Sequence, residues 1–118
     1  MEATNAILTF AAFAQETRLE VFRLLVKSEP NGMAAGDIAR ELAVPHNTMS
    51  SHLGVLSRAG LVTAERRSRS IFYRVNLDRV CDVVSFLLQD CCGGRPELCS
   101  SVIEVLNHCT CSKEPAHG

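Results

Sequence analysis

Six cysteines stand at positions 81, 91, 92, 99, 109 and 111, all within the last 38 residues of a 118-residue chain. A disulfide framework would spread its bridges over the core. Clustering at one end, with an adjacent Cys91-Cys92 pair that cannot readily bridge itself without strain, points to free thiols in a reducing compartment. Gly93-Gly94 allows the chain to turn, and only six residues separate Cys92 from Cys99, so three thiolates can converge. A sulfur-only donor set selects soft ions over magnesium or calcium. Cys91, Cys92 and Cys99 supply the three corners of a trigonal pyramid, which suits trivalent arsenic or antimony with its lone pair at the apex, one ion per subunit. Cys99 lies just inside the start of the next expected helix, where the thiolate is favoured. Two other chemistries remain open for these thiols. One is a different soft metal such as zinc, cadmium or lead, although zinc usually takes four ligands and Cys109-x-Cys111 with His108 is poorly spaced to complete such a set. The other is thiol oxidation, which would distort the same region. Cys81 lies in an apolar segment and reads as a core thiol, while Cys109 and Cys111 have no assigned role.

The cysteines do not read as nucleophiles of a phosphatase-like enzyme. That chemistry needs Cys-x5-Arg, and the residues six positions on are Leu87, Glu97, Leu98, Val105, Pro115 and His117. No histidine–carboxylate cluster accompanies the thiols, so no catalytic residue and no organic cofactor is expected. The length corresponds to one domain of about 100–150 residues, and 47% apolar residues suffice for a core without bridges. No run of about 18 apolar residues exists to span a membrane, and Met1-Glu2-Ala3-Thr4 lacks the basic start of an export signal. The expectation is a cytoplasmic protein with no membrane partner.

A second chemistry lies in the middle of the chain. The formal charge of −1 is segregated: residues 1–39 carry −2, residues 40–79 carry +4 from seven arginines against three acids, and residues 80–118 carry −3. A basic centre between acidic ends can form a local phosphate-binding surface. Within it, residues 46–59 read as a helix whose outward positions are His46, Asn47, Thr48, Ser50, Ser51 and His52, with no acid among them. Short hydrogen-bonding side chains at a helix N-terminus can approach base edges, and the N–H groups and dipole favour phosphate. His46 and Asn47 are the expected base readers, and Thr48, Ser50 and Ser51 serve bases or phosphates. Arg67 and Arg69 suit phosphates or a minor groove. Helix capping is the alternative role for Asn47 and Thr48, and packing for His52. The partner implied is double-stranded DNA.

These residues need a scaffold, and the apolar periodicity supplies one. Helices are expected over residues 4–14 (with Ile7, Leu8, Ala11 and Ala14 at helical spacing), 15–28 (Leu19, Phe22, Leu25, Val26) and 35–43 (Ile38, Leu42). Pro45 starts the helix at 46–59, with Met49, Leu53 and Leu56 inward and Gly60 at its end. The period then falls to two over residues 61–66 and 70–75, a β-hairpin tipped by Arg67-Ser68-Arg69. A helix over residues 77–90 follows, then a short one near 96–107. The order α-α-α-α-β-β-α plus a short C-terminal helix is a mostly helical α+β winged helix-turn-helix, occupying residues 1–108, with residues 109–118 as a flexible cysteine-containing tail. One such module buries only about 600–1,000 Å² on DNA, which favours a symmetric dimer. Ile7, Leu8, Phe10, Ala11 and Phe13 of the first helix and Val84, Leu87 and Leu88 of the 77–90 helix carry the apolar surface for it.

The stretch Asp37-Ile38-Ala39-Arg40-Glu41-Leu42, then Thr48-Met49-Ser50-Ser51-His52-Leu53-Gly54-Val55-Leu56 and Ala59-Gly60-Leu61-Val62, resembles the ArsR/SmtB family of metal-responsive repressors. The resemblance implies a homodimeric winged-helix repressor that leaves its operator when an inducer binds. The better-known arsenic sensors of that family carry Cys-Val-Cys where this chain has Glu41-Leu42-Ala43-Val44-Pro45. Its zinc and cobalt sensors carry Asp and His ligands on the dimer helix, and residues 77–90 here contain no histidine. Cys91-Cys92-Gly93-Gly94-Arg95-Pro96-Glu97-Leu98-Cys99 instead looks like the arsenite-responsive subgroup whose three-thiol site follows the dimer helix.

Overall fold

The computed structural model describes residues 1–88, so five of the six cysteines and the expected helix near 96–107 lie outside the described residues. The elements are α1 (Ala3–Phe13), α2 (Glu16–Lys27), β1 (Met33–Ala34), α3 (Ala35–Leu42), α4 (His46–Arg58), β2 (Val62–Arg67), β3 (Ser70–Val75) and α5 (Leu77–Leu88). Residues Glu2–Asn76 form one compact unit and α5 belongs to another. In α5, Val83 is buried, Val80, Cys81, Val84, Phe86 and Leu88 are half-buried, and Leu87 is exposed.

Each helix boundary has a local cause. Gln15 caps α2, its side-chain oxygen accepting from the Arg18 N–H at 2.8 Å. α3 ends on Ala43 in the left-handed region (φ 56°), and Pro45 occupies the cap position before α4. The three residues between these helices form the turn of a helix-turn-helix. α4 stops at Gly60, whose φ of 79° costs little without a Cβ. Asn76 then closes the base of the hairpin: its N–H donates to the Leu61 carbonyl at 2.8 Å, and its Nδ2 donates to the Gly60 carbonyl at 2.9 Å.

The core of the larger unit gathers Val21 and Leu25 of α2, Ile38 of α3, Met49, Leu53 and Leu56 of α4, and Leu61 and Val62 at the start of β2. Met49, Leu53 and Leu56 are inward as their spacing predicts. The inward face of α2 differs in part from the periodic reading, whereas α1 turns outward the large apolar residues expected on its surface. α1 buries Ala6, Thr9 and Ala12 and leaves Ile7, Leu8 and Phe10 exposed. Small side chains let α1 lie close to its neighbours, and Thr9 tolerates burial because its hydroxyl donates to the Asn5 carbonyl at 2.9 Å. Phe13 is half-buried and meets Phe22 edge-on at 5.1 Å, so part of this ring serves the chain's own packing. In α2, Val21 turns inward while Leu19 and Val26 are exposed.

The sheet is antiparallel in the order β1-β3-β2. The hairpin pairs Val62 with Val75 through to Arg67 with Ser70, which leaves a two-residue turn, Ser68-Arg69, with Ser68 at φ 57°. β1, absent from the sequence reading, pairs Met33 with Tyr73 and Ala34 with Phe72. Two residues carry no period to detect. Their approach requires Gly32 (φ 77°), where a Cβ would stand 2.6 Å from both the Tyr73 carbonyl oxygen and Arg74 Cγ. Arg74 is also held by Glu29, with Nη2 donating to Oε1 at 2.6 Å, which ties β3 to the segment after α2.

Candidate nucleic-acid interface

α4 is fixed from behind by Met49, Leu53 and Leu56, so its opposite side faces outward. His46, Asn47, Thr48, Ser50 and Ser51 are all exposed, and none of the helix's residues is acidic. Asn47 Oδ1 accepts from the Thr48 N–H at 2.9 Å, so this side chain is engaged with the first turn of the helix. His46 lies near α3 at Gly36, where a Cβ would stand 3.4 Å from His46 Cε1.

His52 stands apart from these five. It is half-buried, and its Nδ1 is 3.4 Å from Arg18 Nη1. Burial first, and the Arg18 charge second, push its pKa below the ordinary histidine value. A guanidinium can only donate, so the pairing uses a neutral ring accepting at Nδ1. The histidine thus joins α4 to α2.

The hairpin carries three adjacent or near-adjacent arginines with distinct surroundings. Arg69 occupies the turn and is exposed, as is Arg66. Arg67 is half-buried: its Cζ sits 4.4 Å from the Phe72 ring centroid, and its Nη2 donates to Glu65 Oε1 at 3.2 Å. Of the two hairpin arginines expected to meet DNA, Arg69 is open and Arg67 is already occupied. Arg66 was not singled out by sequence because it belongs to the strand rather than the tip. Arg58 ends α4, outside the acid-free N-terminal run, and is exposed. Arg40 on α3 is exposed but paired with Asp37.

The expected metalloid ligands Cys91, Cys92 and Cys99 lie outside the described residues. Among the described residues no three His, Cys, Asp or Glu side chains converge in a way that could hold a metal ion. The expected interface positions Ile7 (65% exposed), Leu8, Phe10 and Leu87 are open, Ala11 is exposed, and Val84 and Leu88 are half-buried. No helix among the described residues is long and apolar enough to cross a membrane.

A two-helix turn with an outward, acid-free second helix, flanked by an arginine-bearing hairpin, defines a winged helix-turn-helix DNA-binding protein. Residues 13–65 match the family described as a helix-turn-helix domain. An uncharacterized HTH-type transcriptional regulator of Methanocaldococcus jannaschii is 36% identical over 78 residues, which is 66% of this chain and 85% of that protein. An ArsR-like transcriptional regulator from Rhodococcus sp. RHA1 has a similar fold, with a TM-score of 0.66 at 22% identity over 95% of each chain. So does the homodimeric winged helix-turn-helix DNA-binding domain of a possible ArsR-family transcriptional regulator from Mycobacterium bovis, with a TM-score of 0.61 at 24% identity over 72% of this chain and 77% of that one. The chain therefore belongs to the HTH-type transcriptional regulators, and it has the winged helix-turn-helix fold of the ArsR-like regulator from Rhodococcus.

Proposed function

We propose that the protein is a cytoplasmic, homodimeric transcriptional repressor that binds operator DNA of a resistance operon and is released when arsenic(III) or antimony(III) binds Cys91, Cys92 and Cys99. The observation that carries the DNA-binding half is the outward face of α4: His46, Asn47, Thr48, Ser50 and Ser51 are exposed, with no carboxylate on the helix. Arg66 and Arg69 extend this surface onto the hairpin. The dimer is supported by the exposed Ile7, Leu8 and Phe10 on α1 and by the homodimeric relative of the same fold. A contiguous apolar helix face on a small domain marks an interaction surface.

The metalloid half rests on the spacing of the three cysteines, which offers a soft three-coordinate site, while Cys109, Cys111 and His108 are poorly spaced to complete a four-ligand set. Binding would close the segment after α5 and bias the dimer away from its DNA-bound form. A coupling of about 1–3 kcal/mol weakens DNA binding roughly 5–150-fold, and DNA weakens metalloid binding by the same factor.

The test begins with selection of a binding site from a random duplex pool. The reduced full-length protein, bound to that duplex, is then titrated with arsenite while anisotropy and free thiols are followed. The expected result is release at one arsenite per subunit with three thiols protected. Release is expected to be abolished in Cys91→Ser, Cys92→Ser and Cys99→Ser and retained in Cys109→Ser and Cys111→Ser. Release by zinc, cadmium, lead or peroxide but not by arsenite or antimonite overturns the metalloid assignment, as does equal release of the three variants.

A further inference from the structure

Glycine inside a helix is destabilising relative to alanine, yet Gly54 sits in the middle of α4. At 100° per residue, Asn47, Ser51, Gly54 and Arg58 fall on one meridian of that helix, directly opposite the buried Met49, Leu53 and Leu56. A Cβ on Gly54 would stand 3.3 Å from Arg58 Nη1. The guanidinium therefore lies back along the outward face, over the space that Gly54 leaves open. Arg58 and Arg18 border a cleft of about 390 Å³ between α1 and α4, whose other lining residues, Leu8 and Val55 among them, are all apolar. No salt bridge holds Arg58 among the described residues. Its position at the end of α4 suits the helix dipole, but that role would not require a bare surface four residues earlier.

We infer that Arg58 is a DNA-phosphate contact and that Gly54 is the positioning residue that keeps its seat along the reading face open. The inference rests on the proposed DNA-binding role of α4 and adds a contact at the far end of that helix, beyond its base-reading N-terminus. A phosphate contact positions the protein without reading sequence. Its removal therefore lowers affinity for every duplex alike and reduces the salt dependence.

A labelled 30-base-pair duplex of mixed sequence is the probe, with anisotropy titrations of the full-length protein from low to moderate salt. Arg58→Ala is expected to weaken binding roughly tenfold and to lower the salt slope by about 0.9 for each phosphate that is no longer neutralised. Arg58→Lys is expected to recover the slope. Gly54→Ala is expected to raise Tm by about 2–6 °C through helix propensity while weakening DNA binding. Combined with Arg58→Ala it is expected to weaken binding no further.

Each outcome decides something. Wild-type protein that shows no salt-dependent duplex binding overturns the DNA-binding reading itself. Wild-type binding with an unchanged Arg58→Ala slope overturns only the Arg58 contact. A Gly54→Ala defect that persists in full without Arg58 overturns the positioning role. A defect confined to the selected site and absent on the mixed-sequence duplex overturns the phosphate assignment.

Discussion

Gly32→Ala should damage the wing out of proportion to its single methyl group. The backbone at this position has a φ of 77°, which costs an L-residue about 1–2 kcal/mol. The new Cβ would also stand 2.6 Å from the Tyr73 carbonyl oxygen and from Arg74 Cγ. Arg74 Cγ can move, but Tyr73 is the β3 partner of Met33, so relieving its carbonyl means pushing β1 off the sheet or distorting β3. Overpacking of this kind costs about 1–3 kcal/mol. The sum is about 2–5 kcal/mol, a large part of the roughly 5–15 kcal/mol that holds a domain together. Gly36→Ala is the contrast. Its Cβ would meet His46 Cε1 at 3.4 Å, an ordinary contact, and Gly36 is helical, so the same change there should be neutral or stabilising by up to about 1 kcal/mol. Urea unfolding of both variants at fixed protein concentration measures the two values. Equal stability of Gly32→Ala and wild type, within about 0.5 kcal/mol, would refute the close approach of the loop to β3.

Two further outcomes follow from the charged groups. Glu65→Gln removes the only acid on the hairpin strands and frees Arg67, in a pair too exposed to contribute more than about 1 kcal/mol. Stability should hardly change while affinity for a mixed-sequence duplex rises about two- to fivefold; weaker binding would show that Glu65 is needed to aim Arg67. His52 has a folded-state pKa below its unfolded value. Its contribution to stability is therefore present above about pH 6.5 and is lost as pH falls through the lower, folded-state pKa, because the unfolded chain then binds the proton more readily. Urea midpoints of wild type and His52→Gln should converge or cross as pH falls below about 6.5, and parallel profiles would exclude this histidine as the source.

The four helices through Arg58 and the hairpin were legible because large apolar residues repeat at 3.6 and then at two, and because Pro45 and Gly60 bound the reading helix. The inward face of α1 was not. Its buried residues, Ala6, Thr9 and Ala12, are small, while the large ones point out, so a reading keyed to size follows the exposed side. β1 was too short to show a period, and its signal is the positive φ of Gly32, visible only with β3 beside it. At the candidate interface the residue types on α4 were readable, but their commitments were not. That Asn47 accepts from the Thr48 N–H, that His52 faces Arg18 and that Arg67 meets Glu65 and Phe72 all depend on side-chain partners. Arg18 lies 34 positions from His52, a separation at which no local pattern reports the pairing.

Arg18 itself has a consequence for redesign. Its Nε donates to the Ala12 carbonyl at 2.7 Å and its Nη2 to the Ala11 carbonyl at 3.3 Å, while its backbone N–H is held by Gln15 and its Nη1 reaches His52. One side chain thus fastens the end of α1, the start of α2 and the flank of α4. In the proposed function, the outer face of α1 is the surface for another subunit and that of α4 the surface for DNA. An engineer who regrafts α1 to change the pairing partner must keep the helix end that presents these main-chain carbonyls, and one who swaps α4 to change the target sequence must keep His52. The two specificities are separate in chemistry but share a single mount.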